Sequence, residues 1–140
     1  MKLFVDTGPL VAFYNKRDGQ HVSARESFAR IGRGETPYRK LYTSDYVLDE
    51  SLTLCRSQTG NHSLAVELGT DILNSKTMVL LKVDGDILKG SWELFKQRAE
   101  IKLSFTDCST AVLARTHGVS DIFTFDDDFN SLRFHGVRSI

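Results

Sequence analysis

The stretch Lys2-Leu3-Phe4-Val5-Asp6-Thr7-Gly8-Pro9 decides the fold. Lys2 to Val5 is a short apolar run, Asp6 to Gly8 reads as a turn, and Pro9 suits the first position of a helix, where its missing N–H leaves no bond unmade. This predicts a buried strand followed by a helix over about Pro9 to Asn15. A second helix is expected from about His21 to Ile31, with Val22, Phe28 and Ile31 on its apolar side and Gly32-Arg33-Gly34 as its stop. Leu41-Tyr42-Thr43 is a weak strand. Ser44 or Asp45 then caps a helix in which Val47, Leu48, Leu52, Leu54 and Cys55 recur near helical spacing, ending before Gly60.

The alternation continues. Asn61 caps a helix to about Leu73, Met78 to Val83 is the clearest strand, and Ile87, Leu88, Trp92, Leu94 and Phe95 pattern an amphipathic helix. Thr106 to His117 is one more helix, stopped by Gly118; Ile122 to Phe125 is a strand ended by aspartates, and Val137 to Ile140 a last short strand. Strands alternating with helices give an α/β chain, a mostly parallel sheet with helices on both faces. Without repeats or a linker, its 140 residues read as one domain, 1–140.

Composition sets bounds on function. Hydrophobic residues are 41% and charged residues 26%, with 2 Pro and 10 Gly, so the chain is globular and can build a core without metal or disulfide. Eighteen basic and eighteen acidic side chains cancel, so bulk charge selects neither nucleic acid nor membrane as a partner. Cys55 and Cys108 sit in apolar helical patterns and are expected as buried free thiols, consistent with a reducing cytoplasm. Asp6 interrupts the first apolar run before it resembles a signal segment, and no run approaches the ~18 residues of a membrane span.

Acids that directly follow parallel strands gather at the carboxyl edge of the sheet, where ligands bind in such folds. Asp6 ends the first strand and Asp126-Asp127-Asp128 end the strand after Ile122. Taken singly, each has a plain structural reading: Asp6 as a cap for the next helix, the aspartate run as a solvated turn. Glu50 shares a helix flank with Val47 and Leu54, so its carboxylate is either inward and in need of a cation, or at the boundary with its head in solvent; Asp49 is the more exposed neighbour. Asp107 opens a helix, where the dipole alone would favour it. Together the four are spread through the chain as a site assembled by folding requires. Clustered carboxylates are kept when they hold hard divalent cations, and the matching chemistry is phosphodiester hydrolysis by a cation-activated water.

Four segments, Phe4-Val5-Asp6-Thr7-Gly8-Pro9-Leu10-Val11-Ala12, Val47-Leu48-Asp49-Glu50, Leu103-Ser104-Phe105-Thr106-Asp107 and Ile122-Phe123-Thr124-Phe125-Asp126-Asp127-Asp128-Phe129, resemble in order and spacing the PIN-domain nucleases, and most of all the VapC-type toxins. The resemblance spans nearly the whole chain. It implies a three-layer α/β/α sandwich, Mg²⁺- or Mn²⁺-dependent cleavage of RNA, a homodimer and, for a toxin, a neutralising antitoxin protein. Residue by residue, Asp6, Glu50, Asp107 and Asp126 match the acidic, metal-holding set, with Thr7 and Thr124 as the hydroxyls beside it; Asp128 could share or replace the role of Asp126. An antitoxin arginine pairing bidentately with the acids would block such a site. Tyr38, Leu41, Tyr42 and Leu64 are expected as exposed apolar residues that a dimer would cover.

Other readings are weaker. Arg25, Arg30, Arg33, Arg39 and Lys40 form a local basic excess that is either an RNA-backbone track or a solvated charged face. His21, His62, His117 and His135 lack zinc spacing, and Ile31-Gly32-Arg33-Gly34 follows a helix, not a strand, which excludes a nucleotide loop. An aspartyl-phosphate phosphohydrolase needs a second acid where Gly8 stands. A housekeeping RNA-processing nuclease and a catalytically silent RNA-binding module remain the alternatives, the latter having no need of all four acids.

Overall fold

Leu3, Phe4 and Val5 are wholly buried because their strand, β1 (Lys2–Val5), is the middle of a five-stranded sheet. The computed structural model describes residues 1–140. β1 is followed by α1 (Thr7–Tyr14), α2 (His21–Gly32), β2 (Lys40–Ser44), α3 (Asp45–Thr59), α4 (His62–Leu73), β3 (Met78–Leu81), α5 (Gly85–Gln97), α6 (Phe105–Thr116), β4 (Asp121–Phe123), a 3₁₀ turn at Asp128–Leu132, and β5 (His135–Val137). All pairings are parallel, in the order β3-β2-β1-β4-β5, with Phe4 opposite Tyr42 on one side and Ile122 on the other.

That order explains the layers. Right-handed crossovers from β1 to β2 to β3 lay α1 to α4 on one face, and the return from β3 to β4 lays α5 and α6 on the other. The packing agrees: α1 meets α2 and α3, α3 meets α4, and α5 meets α6. The result is the α/β/α sandwich. The chain leaves β1 toward one side and reaches β4 on the other, so a crevice opens between their carboxyl ends. There the Thr43 hydroxyl donates to the Val5 carbonyl (3.0 Å) and the Asp6 N–H to the Phe123 carbonyl (3.0 Å), holding the strand ends in register.

Several boundaries differ from expectation. α1 begins at Thr7, so Pro9 is its third residue; the first N–H groups of a helix have no internal partner, and proline fits there without loss. The last strand is His135–Val137 instead of Val137–Ile140, and the strand after Gly118 ends at Phe123. Val22 is 73% exposed, and α2 turns Ala24 and Ser27 inward in its place. Small residues let this helix approach closely.

A larger correction concerns the apolar surface. Tyr38, Leu41 and Tyr42 are buried, and Leu64 is only half-exposed. Leu41 and Tyr42 belong to β2, the strand beside the central one, and the Tyr38 hydroxyl donates to Asp121 (2.6 Å). The apolar residues that do face solvent include Leu88, Trp92 and Phe95 on α5 and Val66 and Leu73 on α4.

Candidate active site

Asp6 stands at the N-cap position of α1 but makes no capping bond. Its Oδ2 accepts from the Thr124 hydroxyl (2.8 Å), while Oδ1 is buried with no partner. A carboxylate oxygen left bare in this way costs free energy unless something not yet present completes it. The Thr7 hydroxyl beside it is also buried and unpaired. Gly8 allows the close approach of Phe125: a Cβ there would meet Phe125 Cδ2 at 3.2 Å.

Asp107 does two things. In α6 its Oδ2 accepts from the Ser104 N–H (3.1 Å) while its own N–H donates to the Ser104 hydroxyl (3.0 Å), a reciprocal capping box. Its Oδ1 makes no bond within the protein, and the residue lines the same crevice as Asp6. Glu50 reaches that crevice from α3, whose start is fixed by the Ser44 hydroxyl accepting from the Val47 N–H (3.1 Å). Asp126 closes the set; its N–H donates to the Thr124 hydroxyl (3.1 Å). Thr124 thus ties Asp126 to Asp6.

The crevice is a cavity of about 400 Å³ lined by Asp6, Thr7, Gly8, Glu50, Ser104, Asp107, Thr124, Phe125 and Asp126, and at its far end by Val11, Asp18, Leu54 and Gln58. Its electrostatics follow from the crowding. Burial, then the charge of Asp107, push Asp6 up to about 7. Burial, with the charges of Asp126 and Glu50 added, raises Asp107 to about 6 against the opposing Ser104 hydrogen bonds. The structure therefore brings the four predicted acids and both predicted hydroxyls together.

Asp128 does not line the cavity. It sits half-buried on the 3₁₀ turn, donating its N–H to Asp126 Oδ1 (2.9 Å), and the Asp126 carboxylate raises its pKa. The basic residues lie elsewhere. Arg30 and Arg33 pair with Glu35, Arg39 donates to the Thr36 carbonyl, and Lys40 opens β2 at the amino edge, opposite the acids. Arg25 stacks on Phe13 at 4.6 Å. Asp18, Leu54 and Gln58 were not legible as site residues, although Leu54 and Gln58 follow Glu50 at four-residue steps on one flank of α3.

Apart from Gln58, the polar side chains lining the crevice present oxygen alone: carboxylates and hydroxyls, without histidine or cysteine. Such a donor set suits Mg²⁺ or Mn²⁺ better than zinc, and the buried Asp6 Oδ1 still lacks a partner. No three acid, histidine or cysteine side chains stand close enough to enclose an ion by themselves. No helix is long and apolar enough to cross a membrane.

The chain is 30% identical over 137 residues, 97% of its length and 98% of the relative's, to the 23S rRNA-specific endonuclease VapC20 of Mycobacterium tuberculosis. The crystal structure of that protein, described as a sarcin-ricin loop cleaving toxin, superposes with a TM-score of 0.86 at 29% identity, covering 96% of this chain and 98% of the other. A VapC ribonuclease of Archaeoglobus fulgidus is 25% identical over 115 residues, 81% of this chain and 70% of the relative. VapBC2 of Rickettsia felis shares the fold (TM-score 0.69, 15% identity, 98% of both chains). Residues 3–135 match the family model of the PIN domain, and with this extent of likeness the chain belongs to the PIN-domain family.

Proposed function

We propose that this protein is a divalent-cation-dependent ribonuclease of the VapC kind, acting as the toxin of a toxin–antitoxin pair. The carrying observation is the convergence of Asp6, Glu50, Asp107 and Asp126 on one crevice, with a buried carboxylate oxygen left bare. VapC20 and the archaeal relative are an endonuclease and a ribonuclease, and the likeness to VapC20 covers the whole site. Asp6, Glu50, Asp107 and Asp126 would hold the cation, Mg²⁺ or Mn²⁺. When bound, the cation supplies a nucleophilic water at neutral pH and offsets charge on the leaving oxygen. The chain's own residues orient: Thr124 fixes Asp6 through Oδ2, Ser104 fixes Asp107 through Oδ2, and each keeps its Oδ1 for the site.

Two partners follow from this reading. A cavity lined by four carboxylates is complementary to an arginine guanidinium, so an antitoxin inserting one would neutralise the site and displace the cation. The exposed Leu88, Trp92 and Phe95 of α5 form an apolar face that a second copy of the chain would cover. Trp92→Asp should then convert a dimer to a monomer in light scattering; a wild-type monomer would refute the dimer.

The test of the activity is RNA cleavage with Mg²⁺ or Mn²⁺ by the wild type and by Asp6→Asn and Asp107→Asn. Cleavage is expected in the wild type alone and should stop in excess chelator. Full activity in either variant or in chelator would refute the mechanism. Expression without a partner should slow growth, and the Asp6→Asn form should not; equal tolerance would favour a housekeeping processing role.

A further inference from the structure

The far end of the crevice has a chemistry of its own. Glu50, Leu54 and Gln58 follow one another along α3, so Gln58 lies about 12 Å from Glu50 along the axis, beyond the reach of a cation held by the acids. Leu54 between them is 37% exposed and offers an apolar platform.

The orientation of the Gln58 amide is set by a chain of bonds that begins at the backbone. The Arg17 N–H donates to Asn15 Oδ1 (3.1 Å), so Asn15 Nδ2 is a donor; it gives its hydrogen to Gln58 Oε1 (3.4 Å). Asn15 is itself buried, 8% exposed. Gln58 therefore keeps Nε2, with two hydrogens, free for the cavity. Asp18 is joined to the same residue, its N–H donating to the Asn15 carbonyl (3.0 Å). Its Oδ1 accepts from the Gln20 N–H (2.8 Å), its Oδ2 has no partner, and no lysine or arginine pairs with it.

An unpaired carboxylate repels phosphate, so this end is suited to a base and not to the RNA backbone. A free amide donor and a carboxylate acceptor beside an apolar platform match a base edge that presents an acceptor next to N–H donors. Guanine does so most completely, with O6 beside N1–H and the 2-amino group. Building on the ribonuclease reading, the geometry points to a guanine-reading subsite, in which Gln58 donates to O6, Asp18 accepts from N1–H and the 2-amino group, and Leu54 supports the ring. The guanine belongs to a nucleotide flanking the scissile bond, and these three residues determine specificity.

A randomised RNA pool cleaved with Mn²⁺ and sequenced should show guanine enriched at one fixed position beside the cut. Oligonucleotides carrying guanine, inosine or 6-thioguanine at that position then separate the two contacts. Inosine lacks the 2-amino group, while 6-thioguanine keeps N1–H and the 2-amino group and replaces O6 with a weakly accepting sulfur, so each should be cleaved about ten-fold more slowly than guanine. Asp18→Ala should lose the discrimination against inosine while retaining that against 6-thioguanine, and Gln58→Leu should do the reverse. A purely structural role would weaken both ratios together. Equal use of all bases by the wild type, or variants that keep both ratios or lose both at once, would overturn the subsite alone. Absence of any wild-type cleavage would overturn the ribonuclease reading and this assignment with it.

Discussion

Asp6→Asn should stabilise the protein at alkaline pH while abolishing its activity. In the folded chain the Asp6 carboxyl is pushed from an ordinary 3.8 to about 7, chiefly by burial and then by Asp107. Below about pH 4 the group is protonated folded or unfolded and contributes nothing; above about 7 the folded state holds a buried anion that the unfolded state would solvate. The penalty grows between those limits and reaches at most about 4 kcal/mol for a shift of this size. The neutral amide carries a burial cost of its own at every pH, so a net gain of about 2 kcal/mol is expected at alkaline pH. Asparagine avoids the penalty: its carbonyl oxygen can still accept from Thr124, and its NH₂ fills the place of the bare Oδ1, toward Asp107. For a chain of this length that gain corresponds to a rise in Tm of roughly 6–8 °C. Thermal unfolding in chelator at pH 8 and pH 5 measures it. The variant should be the more stable at pH 8, and its advantage should disappear at pH 5, where the penalty on wild-type Asp6 has fallen to about 1.6 kcal/mol. Mn²⁺ at pH 8 should raise the wild-type Tm and leave the variant's unchanged. A variant no more stable at pH 8, or a gap equal at both pH values, would refute the account of Asp6 as a strained buried charge.

Other outcomes can be stated briefly. Because Asp6 titrates at about 7 and Asp107 at about 6, cleavage should climb through that range and level off above it. More Mn²⁺ should move the climb to lower pH, since cation and proton compete for the same oxygens; a flat rate from pH 5 to 8 would count against both assignments. Asp126→Asn should cut kcat/KM by at least about ten-fold and Asp128→Asn by less than about three-fold, since Asp126 alone of the two lines the crevice. Thr124→Val removes the donor to Asp6 Oδ2, so it should cost about 1–3 kcal/mol in denaturant unfolding and shift the activity climb upward in pH.

What the sequence made legible, and what it hid, divides along physical lines. β1 and the helix caps at Ser44 and Asn61 could be read because a short apolar run or a cap is a local event, decided by neighbours in the chain. Strand and helix alternation then dictates a parallel sheet, and its carboxyl edge gathers Asp6 and Asp126. The buried state of Tyr38 was hidden because it depends on Asp121, a residue 83 positions away whose carboxylate takes the hydroxyl. Tyr42 was hidden for a related reason: only the strand order places β2 next to the centre. Asp18 belongs to a turn whose local pattern is ordinary, and only the packing of α1 against α3 carries it to the crevice.

Asp107 shows why reading single acids left each of them undecided. Its two roles are not rivals, because a carboxylate has two oxygens and the helix start needs one. The capping box uses Oδ2 for the Ser104 N–H and in doing so restrains the rotamer, leaving Oδ1 unbonded in a residue that lines the crevice. Thr124 treats Asp6 in the same way, binding one oxygen and leaving its twin bare. The local structural reasons for these acids are therefore the means of their preorganisation: a carboxylate held by one oxygen cannot swing away from its charged neighbours. Repulsion that would otherwise scatter the cluster is instead expressed as raised pKa values and a demand for a cation.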